Sequence, residues 1–275
     1  MKIFLTGSNG YIGKYFLIKA AKKGNIIFAV TRKKKNEKIK NVKWLVGSID
    51  KKWKELKKTD VLIHLATYGA HDKFASFEKC YKFNVIKSQK MIHNAFNSGC
   101  KKWLIITTKK EKIVRSTNIE YATIVKNKLN PNFMYAITKA LFSKICVEYA
   151  KTKNVKCRII RLYQVYGGID KNNKRLWPTL VNAAKSNKDF YMTAGNQKTD
   201  FSHIENVTDG LLDALNFNKK NSNKYPQTWE MGSGKLMTVK KFANIIWKKI
   251  NPTSKIFFSK IKNYDKKNYK INPKY

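Results

Sequence analysis

Met1-Lys-Ile-Phe-Leu-Thr6-Gly7-Ser8-Asn9-Gly10-Tyr11-Ile12-Gly13 opens the chain and predicts an apolar strand, a glycine turn and the first turn of a helix. Gly7 permits the tight turn, Gly10 lets backbone approach a pyrophosphate, and Gly13 allows close packing of the helix. The spacing is Gly-x-x-Gly-x-x-Gly, whereas most dinucleotide binders have Gly-x-Gly-x-x-Gly, so an ordinary strand–turn–helix corner stays open as an alternative. Because the turn follows an apolar strand and its helix start attracts anions, we favour a dinucleotide site.

The size and composition of the chain indicate a globular protein. Its 275 residues, 43% of them hydrophobic, fit one large α/β domain or a domain with a smaller lobe. No apolar run is long enough to span a membrane, and glycines interrupt the only N-terminal apolar stretch, so no secretory signal is predicted. The cysteines show no metal spacing, which predicts reduced core residues of a cytoplasmic protein without a metal site: Cys80, Cys100, Cys146 and Cys157.

The formal charge of +41 raises the question of a nucleic-acid partner. Only five of the 58 basic residues are arginine, the residue on which nucleic-acid readers rely for bidentate contacts. Lysine is spread through every segment together with many Asn and Ile, which indicates a general residue bias. We therefore expect no specific nucleic-acid partner, although the positive field attracts anionic ligands.

Apolar runs and helical segments alternate along the chain. Continuous apolar runs are typical of buried parallel strands, and the pattern predicts strands over residues 2–6, 26–30, 42–46, 60–67 and 103–108, with helices over 11–23, 52–57, 74–97 and 135–151. The fold class is therefore α/β, a Rossmann doubly wound parallel sheet. Chemistry in such sheets gathers at the carboxyl ends of the strands, which here are marked by Gly7, Thr31, Ala66 and Thr108.

The second half of the chain predicts a smaller C-terminal substrate-binding lobe. We expect residues 1–164 to form the NAD(P)-binding domain and 165–275 mainly the lobe, with about 201–217 returning to the main sheet. In this half we predict helices over 176–186, 205–216 and 239–250, the last capped by Thr238, and a short strand over 256–258. The tail from Lys262 has weak periodicity and is expected to be loosely held.

The end of the second predicted strand bears on the choice of cofactor. Thr31 and Arg32 stand about twenty residues after the glycine turn, where a dinucleotide fold reads the adenosine ribose. An acid there would bind the 2′-hydroxyl, but a hydroxyl and a guanidinium suit a 2′-phosphate. NADP is therefore favoured over NAD, with the alternative that Arg32 merely begins the solvated run 32–35.

A tyrosine and a lysine supply candidate proton chemistry. Tyr135 and Lys139 are spaced i, i+4 and share one face of a helix. A neighbouring cation lowers the pKa of a phenol, which makes Tyr135 usable as a proton donor or acceptor, and Thr108 could bind the reacting oxygen. In a lysine-rich chain such pairs also arise by chance. His64 has no partner in view and is interpreted as a packed or solvent-linked histidine.

Taken together, these residues resemble the extended short-chain dehydrogenase/reductases, in the branch of nucleotide-sugar epimerases, dehydratases and 4-ketoreductases. The resemblance covers essentially the whole chain. It rests on the glycine turn, the strand-4 signature, the supporting asparagine, the hydroxyl–tyrosine–lysine triad and three later segments: residues 6–13, residues 64–66, Asn84, Thr108, Tyr135, Lys139, and residues 161–167, 195–203 and 229–234.

The resemblance implies roles for particular residues. Tyr135 would protonate a sugar carbonyl oxygen, Lys139 would lower the Tyr135 pKa and hold the nicotinamide ribose, and Thr108 would bind the reacting oxygen. The implied cofactor contacts are Gly7, Asn9, Gly10, Tyr11, Ile12, Gly13, Thr31, Arg32, Ser48, Ile49, Leu65, Ala66, Thr67, Asn84, Thr107, Tyr135, Lys139 and Tyr163. The implied substrate contacts are Thr108, Gln164, Arg175, Lys198 and Thr199. The resemblance also implies a homodimer through the helices over 74–97 and 135–151.

Several positions depart from the family pattern. Gln164 stands where an asparagine is usual, and Thr199 stands where an arginine is usual, with Lys198 beside it as a substitute. Gly168 replaces a common proline. Dehydratases of this branch follow their threonine with Asp-Glu, whereas Thr108 is followed by two lysines, which argues against dehydration.

These observations favour NADPH-dependent reduction of the 4-keto group of a nucleotide-linked deoxyhexose. The first alternative is an NAD-dependent nucleotide-sugar 4-epimerase that uses the same triad. A third hypothesis, from a different class, is a non-catalytic protein on this fold that senses nucleotides or binds polyanions.

Overall fold

The computed structural model describes residues 1–70, 76–115, 131–170, 175–217 and 225–259. In chain order these residues form β1 Lys2–Thr6, α1 Tyr11–Lys22, β2 Ile26–Thr31, β3 Val42–Val46, a 3₁₀ turn Lys54–Lys58, β4 Val61–His64, α2 Phe77–Tyr81, a π-helical turn Lys82–Lys87, α3 Ser88–Asn97, β5 Lys102–Thr108, α4 Glu111–Arg115, α5 Pro131–Lys153, β6 Lys156–Leu162, β7 Gln164–Tyr166, α6 Leu176–Lys185, β8 Phe190–Thr193, β9 Lys198–His203, α7 Ile204–Asp213, β10 Gln227–Met231, β11 Leu236–Thr238, α8 Val239–Ile250 and β12 Ile256–Ser259.

The chain divides into two compact units. The first contains Met1–Val165 and His203–Met231, and the second contains Tyr166–Ser202 and the chain from Gly232 onward. The returning segment is longer than the 201–217 expected from the sequence. It includes β10, which the sequence assigns to the smaller lobe but which pairs in parallel with β6, from Gln227 beside Arg158 to Met231 beside Leu162.

The first unit is built on a parallel sheet. Its strand order among the described residues is β10-β6-β5-β4-β1-β2-β3, and every adjacent pair runs in parallel. The order reverses between β1 and β4, as in doubly wound folds, and the predicted Rossmann fold class is confirmed. Because the strands are parallel, the segments after β1, β2, β4 and β5 emerge at the same edge.

Helices cover both faces of this sheet. On one face α1 and α7 pack against the strands through Phe16, Leu17, Ala20, Ile204, Val207 and Leu211. On the other face α3 and α5 do so through Met91, Ile92, Ala95, Phe142 and Cys146. All four cysteines are buried free thiols. Across the described segments, no helix combines the length and apolar character needed to cross a membrane.

Two helices differ from their predicted form. The helix predicted over 135–151 begins at Pro131, because proline is favoured in the first helical turn, and so Tyr135 lies inside the helix. The helix predicted over 74–97 is divided into α2, the π-helical turn and α3. The Ser76 side chain caps its start by accepting a hydrogen bond from the Lys79 N–H at 3.3 Å.

The second unit packs α6 against α8. Leu180, Ala184, Ala243 and Trp247 form its buried contact. Thr238 caps α8, as predicted, by accepting a hydrogen bond from the Lys241 N–H at 3.1 Å. β8 and β12 pair in parallel, and β9 and β11 pair antiparallel. The tail from Lys262 lies outside the described residues.

Close backbone approach explains two of the glycines in the opening turn. Gly7 has φ +78°, and a Cβ there would lie 2.5 Å from the Ala66 nitrogen in the loop after β4. A Cβ on Gly13 would lie 2.0 Å from the Gly7 carbonyl oxygen. A Cβ on Gly10 would meet only that same oxygen, at 3.2 Å. Gly13 therefore lets α1 pack against the turn itself, and Gly7 lets the turn pack against the β4 loop.

Replacing Gly13 with alanine tests this packing. Because the new methyl group would overlap the Gly7 carbonyl, we expect Gly13→Ala to lower the free energy of unfolding by about 3 kcal/mol or more, as overpacking does. Gly10→Ala is the matched control in the same turn, with an expected loss of about 1 kcal/mol or less. Urea unfolding measures both, and equal losses would contradict the role given to Gly13.

Candidate active site

The turn between β1 and α1 is suited to an anion. Gly10 is the N-cap residue of α1 with φ −71°, and it provides no side-chain cap for the helix. Among the described residues of the first helical turn there is no acid. Asn9 is exposed, and Tyr11 and Ile12 are half-buried at the helix start. A helix N-terminus of this kind binds phosphate groups, so these residues fit the predicted diphosphate of a dinucleotide.

Thr31 is engaged within the protein rather than open to a ligand. Its hydroxyl is buried, accepts a hydrogen bond from Asn9 Nδ2 at 2.6 Å and donates to the Lys33 carbonyl at 2.9 Å. The Thr31 hydroxyl oxygen also accepts a hydrogen bond from the Lys33 N–H at 3.3 Å. These bonds hold the chain that carries Arg32, which is exposed. Of the two predicted phosphate-reading residues, Thr31 therefore positions the loop, and Arg32 presents the charge.

The segment after β3 is tied to the π-helical turn. The Ser48 hydroxyl donates to Asp50 and accepts from Lys87 Nζ at 3.2 Å. Partial burial raises the pKa of Asp50, but the bond from Ser48 and the nearby Lys87 outweigh it and lower that pKa. Ile49 is buried in the core. Ser48 and Ile49 thus lie in a segment that hydrogen bonds hold in place, at the same edge of the sheet as the glycine turn.

His64 is a packed, neutral histidine. It is 1% exposed at the end of β4, with Nδ1 2.8 Å from Thr6 Oγ1 and Nε2 3.2 Å from Ser88 Oγ. Burial, together with the charge of Lys139, lowers its pKa well below the usual value. The interpretation of His64 as packed is confirmed, and its partners are the hydroxyls of Thr6 and Ser88.

Asn84 connects the loop after β4 to α5. Its Oδ1 accepts from the Tyr68 N–H at 2.9 Å and from the Thr67 hydroxyl at 3.2 Å. Its Nδ2 donates to the Tyr68 carbonyl and to Thr138 Oγ1, both at 3.0 Å. Thr138 in turn donates to the Tyr135 carbonyl at 2.9 Å. Asn84 is 2% exposed and sits in the π-helical turn, so it fixes the helix that carries Tyr135 and Lys139.

The predicted triad lies where β5 ends and α5 begins. Tyr135 and Lys139 are buried one turn apart on α5, and Thr108 is the half-buried last residue of β5. Lys139 Nζ donates to the Ile106 carbonyl at 3.0 Å, which joins the helix to the strand two residues before Thr108. Burial lowers the pKa of Lys139 to about 8, against the opposing effect of Glu111. The Thr108 hydroxyl accepts from the Lys110 N–H at 3.3 Å.

Glu111 is a buried charged residue that the sequence patterns do not single out. It is 1% exposed, and Oε2 accepts from Arg161 Nε at 2.9 Å. Oε1 accepts from the Thr107 hydroxyl and, at 2.7 Å, from Ser143 Oγ. The sequence offered one sign of this residue, a single acid within the lysine-rich segment 109–112. The partners of that acid, however, lie far away in the sequence, so the sign did not reveal its contacts.

Tyr163 is anchored to the edge strand. Its hydroxyl donates to Glu230 Oε2 at 2.7 Å, and Lys112 Nζ lies 2.7 Å from Glu230 Oε1. The hydrogen bonds from Lys112 and then Tyr163 lower the pKa of Glu230. The side chain that we predict as a cofactor contact is therefore held between α4 and β10 within the first unit.

The second unit holds three of the predicted substrate contacts. Arg175, the N-cap residue of α6, forms a largely buried ion pair with Asp170 at 2.8 Å. Lys198 is exposed and Thr199 half-buried on β9, whereas Gln164 is half-buried on β7.

Asp200 is an additional buried residue on β9. Its carboxylate accepts from the N–H groups of Ser233 and Gly234, both at 2.8 Å. It thereby joins two segments, 195–203 and 229–234, that are far apart in sequence.

The family model described as NAD dependent epimerase/dehydratase family matches residues 3–232. A CDP-abequose synthase of Salmonella muenchen is 27% identical over 266 residues, which cover 94% of this chain and 84% of the relative. A dTDP-6-deoxy-L-talose 4-dehydrogenase (NAD(+)) of Aggregatibacter actinomycetemcomitans is 23% identical over 217 residues, which cover 76% of this chain and 77% of the relative.

Solved structures share the fold. The UDP-glucuronic acid 4-epimerase from Bacillus cereus, in complex with UDP-glucuronic acid and NAD, superposes with a TM-score of 0.77 at 20% identity, covering 94% of this chain and 86% of that one. The UDP-glucose 4-epimerase of Thermotoga maritima gives a TM-score of 0.75 at 17% identity, covering 96% and 87%.

The burial of His64 predicts a loss of stability in acid. Its folded pKa lies below the unfolded value of about 6.5, so below that pH the unfolded chain binds a proton that the folded protein excludes. The free energy of unfolding should therefore fall by up to about 1.4 kcal/mol per pH unit from this group. His64→Asn should remove that part of the slope in urea titrations. His93→Asn, at an exposed position of α3, is the control, and an unchanged slope in His64→Asn would contradict the assignment.

Proposed function

The chain is an enzyme of the NAD dependent epimerase/dehydratase family, and we propose that it reduces the 4-keto group of a nucleotide-linked deoxyhexose with NADPH. The observation that carries the proposal is the Tyr135–Lys139 pair on α5, with Lys139 buried against the end of β5. The 27% identity to a CDP-abequose synthase over most of both chains supports this choice within the family. It also makes a cytidine diphosphate sugar the first substrate to test.

The side chains of this proposed site divide the proton chemistry among them. Tyr135 donates its phenolic proton to the oxygen at C4 of the sugar, and Thr108 hydrogen-bonds the same oxygen. The Lys139 ammonium favours the phenolate that is left on Tyr135. NADPH, when bound, supplies the hydride that completes the reduction. Asn84 keeps α5 in place through Thr138, so that the proton donor has a defined position.

The segment after Thr108 favours reduction over dehydration. Elimination needs an additional acid and base, and Thr108 is followed by two lysines. The next residue is the acid Glu111, but it is 1% exposed and both of its oxygens already accept hydrogen bonds. Glu111 therefore cannot reach a substrate as an elimination catalyst.

The choice of NADP rests on Arg32. Its guanidinium is exposed at the end of β2, where Thr31 and Asn9 hold the backbone, and the position carries no acid to bind a ribose 2′-hydroxyl. The glycine turn, Ser48, Ile49, Leu65, Ala66, Thr67, Thr107 and Tyr163 complete the proposed cofactor contacts.

We assign Gln164, Arg175, Lys198 and Thr199 to the nucleotide sugar in this proposal. We also propose that the protein is a cytoplasmic homodimer and that its interface is formed by the helices α2 to α3 and by α5.

The second candidate is an NAD-dependent nucleotide-sugar 4-epimerase. It would use the same Thr108, Tyr135 and Lys139, and the fold shared with the NAD complex of the Bacillus cereus epimerase favours it. An epimerase retains its NAD, whereas a reductase must exchange NADPH at every turnover. The cofactor content of protein purified without added nucleotide therefore separates the two.

Arg32 can be tested by calorimetric titration of NADPH and NADH into this protein. We expect NADPH to bind at least about tenfold more tightly, which corresponds to about 1.4 kcal/mol. Arg32→Ala should remove this preference, because the 2′-phosphate loses its cation. Lys34→Ala, in the same exposed run, is the control and should keep it. NAD found in the purified protein, or a preference for NADH, would overturn the reductase proposal in favour of the epimerase.

Tyr135→Phe tests the proton donor. We expect the turnover number with a 4-keto nucleotide sugar to fall by about 100-fold or more, while NADPH affinity changes by about twofold at most. Tyr149→Phe is the control on the same helix, where the tyrosine hydroxyl contacts His93 at 3.0 Å, and it should retain turnover. Turnover that survives in Tyr135→Phe would exclude the proposed mechanism.

A further inference from the structure

We propose that Glu111 is a positioning residue for the reaction, because its buried carboxylate joins the three elements around Lys139 and balances the buried positive charge there. The catalytic side of this inference rests on the proposed function. The placement of Glu111 does not depend on it.

The contacts of Glu111 reach α5, which carries Lys139, β5, to which Lys139 is hydrogen-bonded, and the next strand β6. Lys139 Nζ binds the carbonyl of Ile106 on β5, and the next residue, Thr107, donates its hydroxyl to Glu111 Oε1. Ser143, one turn after Lys139 on α5, donates to the same oxygen at 2.7 Å. Arg161 on β6 donates to Oε2 at 2.9 Å. The carboxylate therefore sets the spacing between α5 and both strands.

The charges in this cluster require an anion. Lys139 and Arg161 are 2% and 7% exposed, and the buried acid beside them is Glu111, at 1%. Buried charges are tolerated only when they are paired and hydrogen-bonded. Without Glu111, the buried Arg161 guanidinium would lose its ion-pair partner, and the buried Lys139 ammonium would lose a carboxylate that favours its charged form.

The other titratable groups around Lys139 supply no opposing charge. His64 on β4 is neutral, since burial lowers its pKa well below the usual value. Cys146 on α5, which lies beside Cys157 of β6, stays a thiol because burial raises its pKa. Tyr135, the proposed proton donor, lies one turn before Lys139 on α5. Burial lowers the Lys139 pKa to about 8, and Glu111 limits that decrease.

The decisive variant is Glu111→Gln, which keeps the shape and removes the charge. The Lys139 pKa should then fall further, by about one pH unit or more. Ser143→Ala is the matched control, because it removes one hydrogen bond from the same carboxylate and keeps the charge. A purely structural role for Glu111 would give similar results for both variants.

The first readout is stability against pH, which needs no substrate. Since the folded pKa of Lys139 lies below its unfolded value of about 10.4, folding releases its proton between these values and stability rises with pH there. Relative to Lys139→Met in the same background, the rise should begin near pH 8 in the unmodified protein and in Ser143→Ala. In Glu111→Gln it should begin about one pH unit lower. An unmoved onset in Glu111→Gln would overturn the proposal.

The second readout is the pH profile of kcat/KM with NADPH and a 4-keto nucleotide sugar. The decrease of kcat/KM at alkaline pH should begin about one pH unit lower in Glu111→Gln and should begin at an unchanged pH in Ser143→Ala. A shifted stability onset without any turnover in the unmodified protein would contradict the proposed function and leave the role of Glu111 supported.

Folding of the variant is itself informative. If Glu111→Gln does not fold, the double variant Glu111→Gln/Arg161→Gln takes its place, since it removes the orphaned cation as well. A shift of the Lys139 pKa in the same direction is expected, because Glu111 acts directly on that pKa, but it should be smaller, since the removed Arg161 charge no longer opposes the Lys139 ammonium. If the double variant also fails to fold, the role of Glu111 is structural and the positioning proposal is overturned.

Discussion

The ammonium group of Lys139 is buried inside the first unit, and the elements around it are arranged so that this charge is tolerated. The group binds the Ile106 carbonyl, and a carboxylate from α4 lies close by with bonds to β5, β6 and α5. A cation beside a phenol is useful for proton transfer only where water does not screen it. The packing of α5 on the carboxyl end of β5 is therefore a requirement shared by the fold and the proposed chemistry.

The features that could be predicted from the sequence are those set by nearby residues. The strand–turn–helix at the start needs Gly7 and Gly13 because backbone lies within contact distance of both. The Tyr135–Lys139 pair follows from helical spacing alone. Apolar runs identify β1, β2, β4 and β5, since a strand that is covered on both faces has apolar side chains at most successive positions.

The features that escaped prediction depend on residues far apart in the chain. Glu111 meets Ser143 and Arg161 across 32 and 50 positions, so no local pattern records its role. In the sequence Thr31 has the character of a ligand-binding hydroxyl, but in the structure this hydroxyl accepts a hydrogen bond from the Asn9 side chain. β10 has the sequence Gln-Thr-Trp-Glu-Met and a mostly exposed edge position, so it lacks the apolar run that marks its neighbours.

The first unit is discontinuous in sequence, and this has a consequence for biosynthesis. Helix α7 and strand β10 belong to it but follow Ser202, so the ribosome makes them after much of the second unit. Until α7 emerges, the apolar side chains of α1 that pack against it, among them Phe16 and Leu17, have no cover on that side. The sheet of the first unit must therefore remain incomplete in the nascent chain while the ribosome synthesises the inserted segment. Folding from the N-terminus onward, which can complete an uninterrupted domain as it emerges, cannot complete this unit before α7 and β10 have been made.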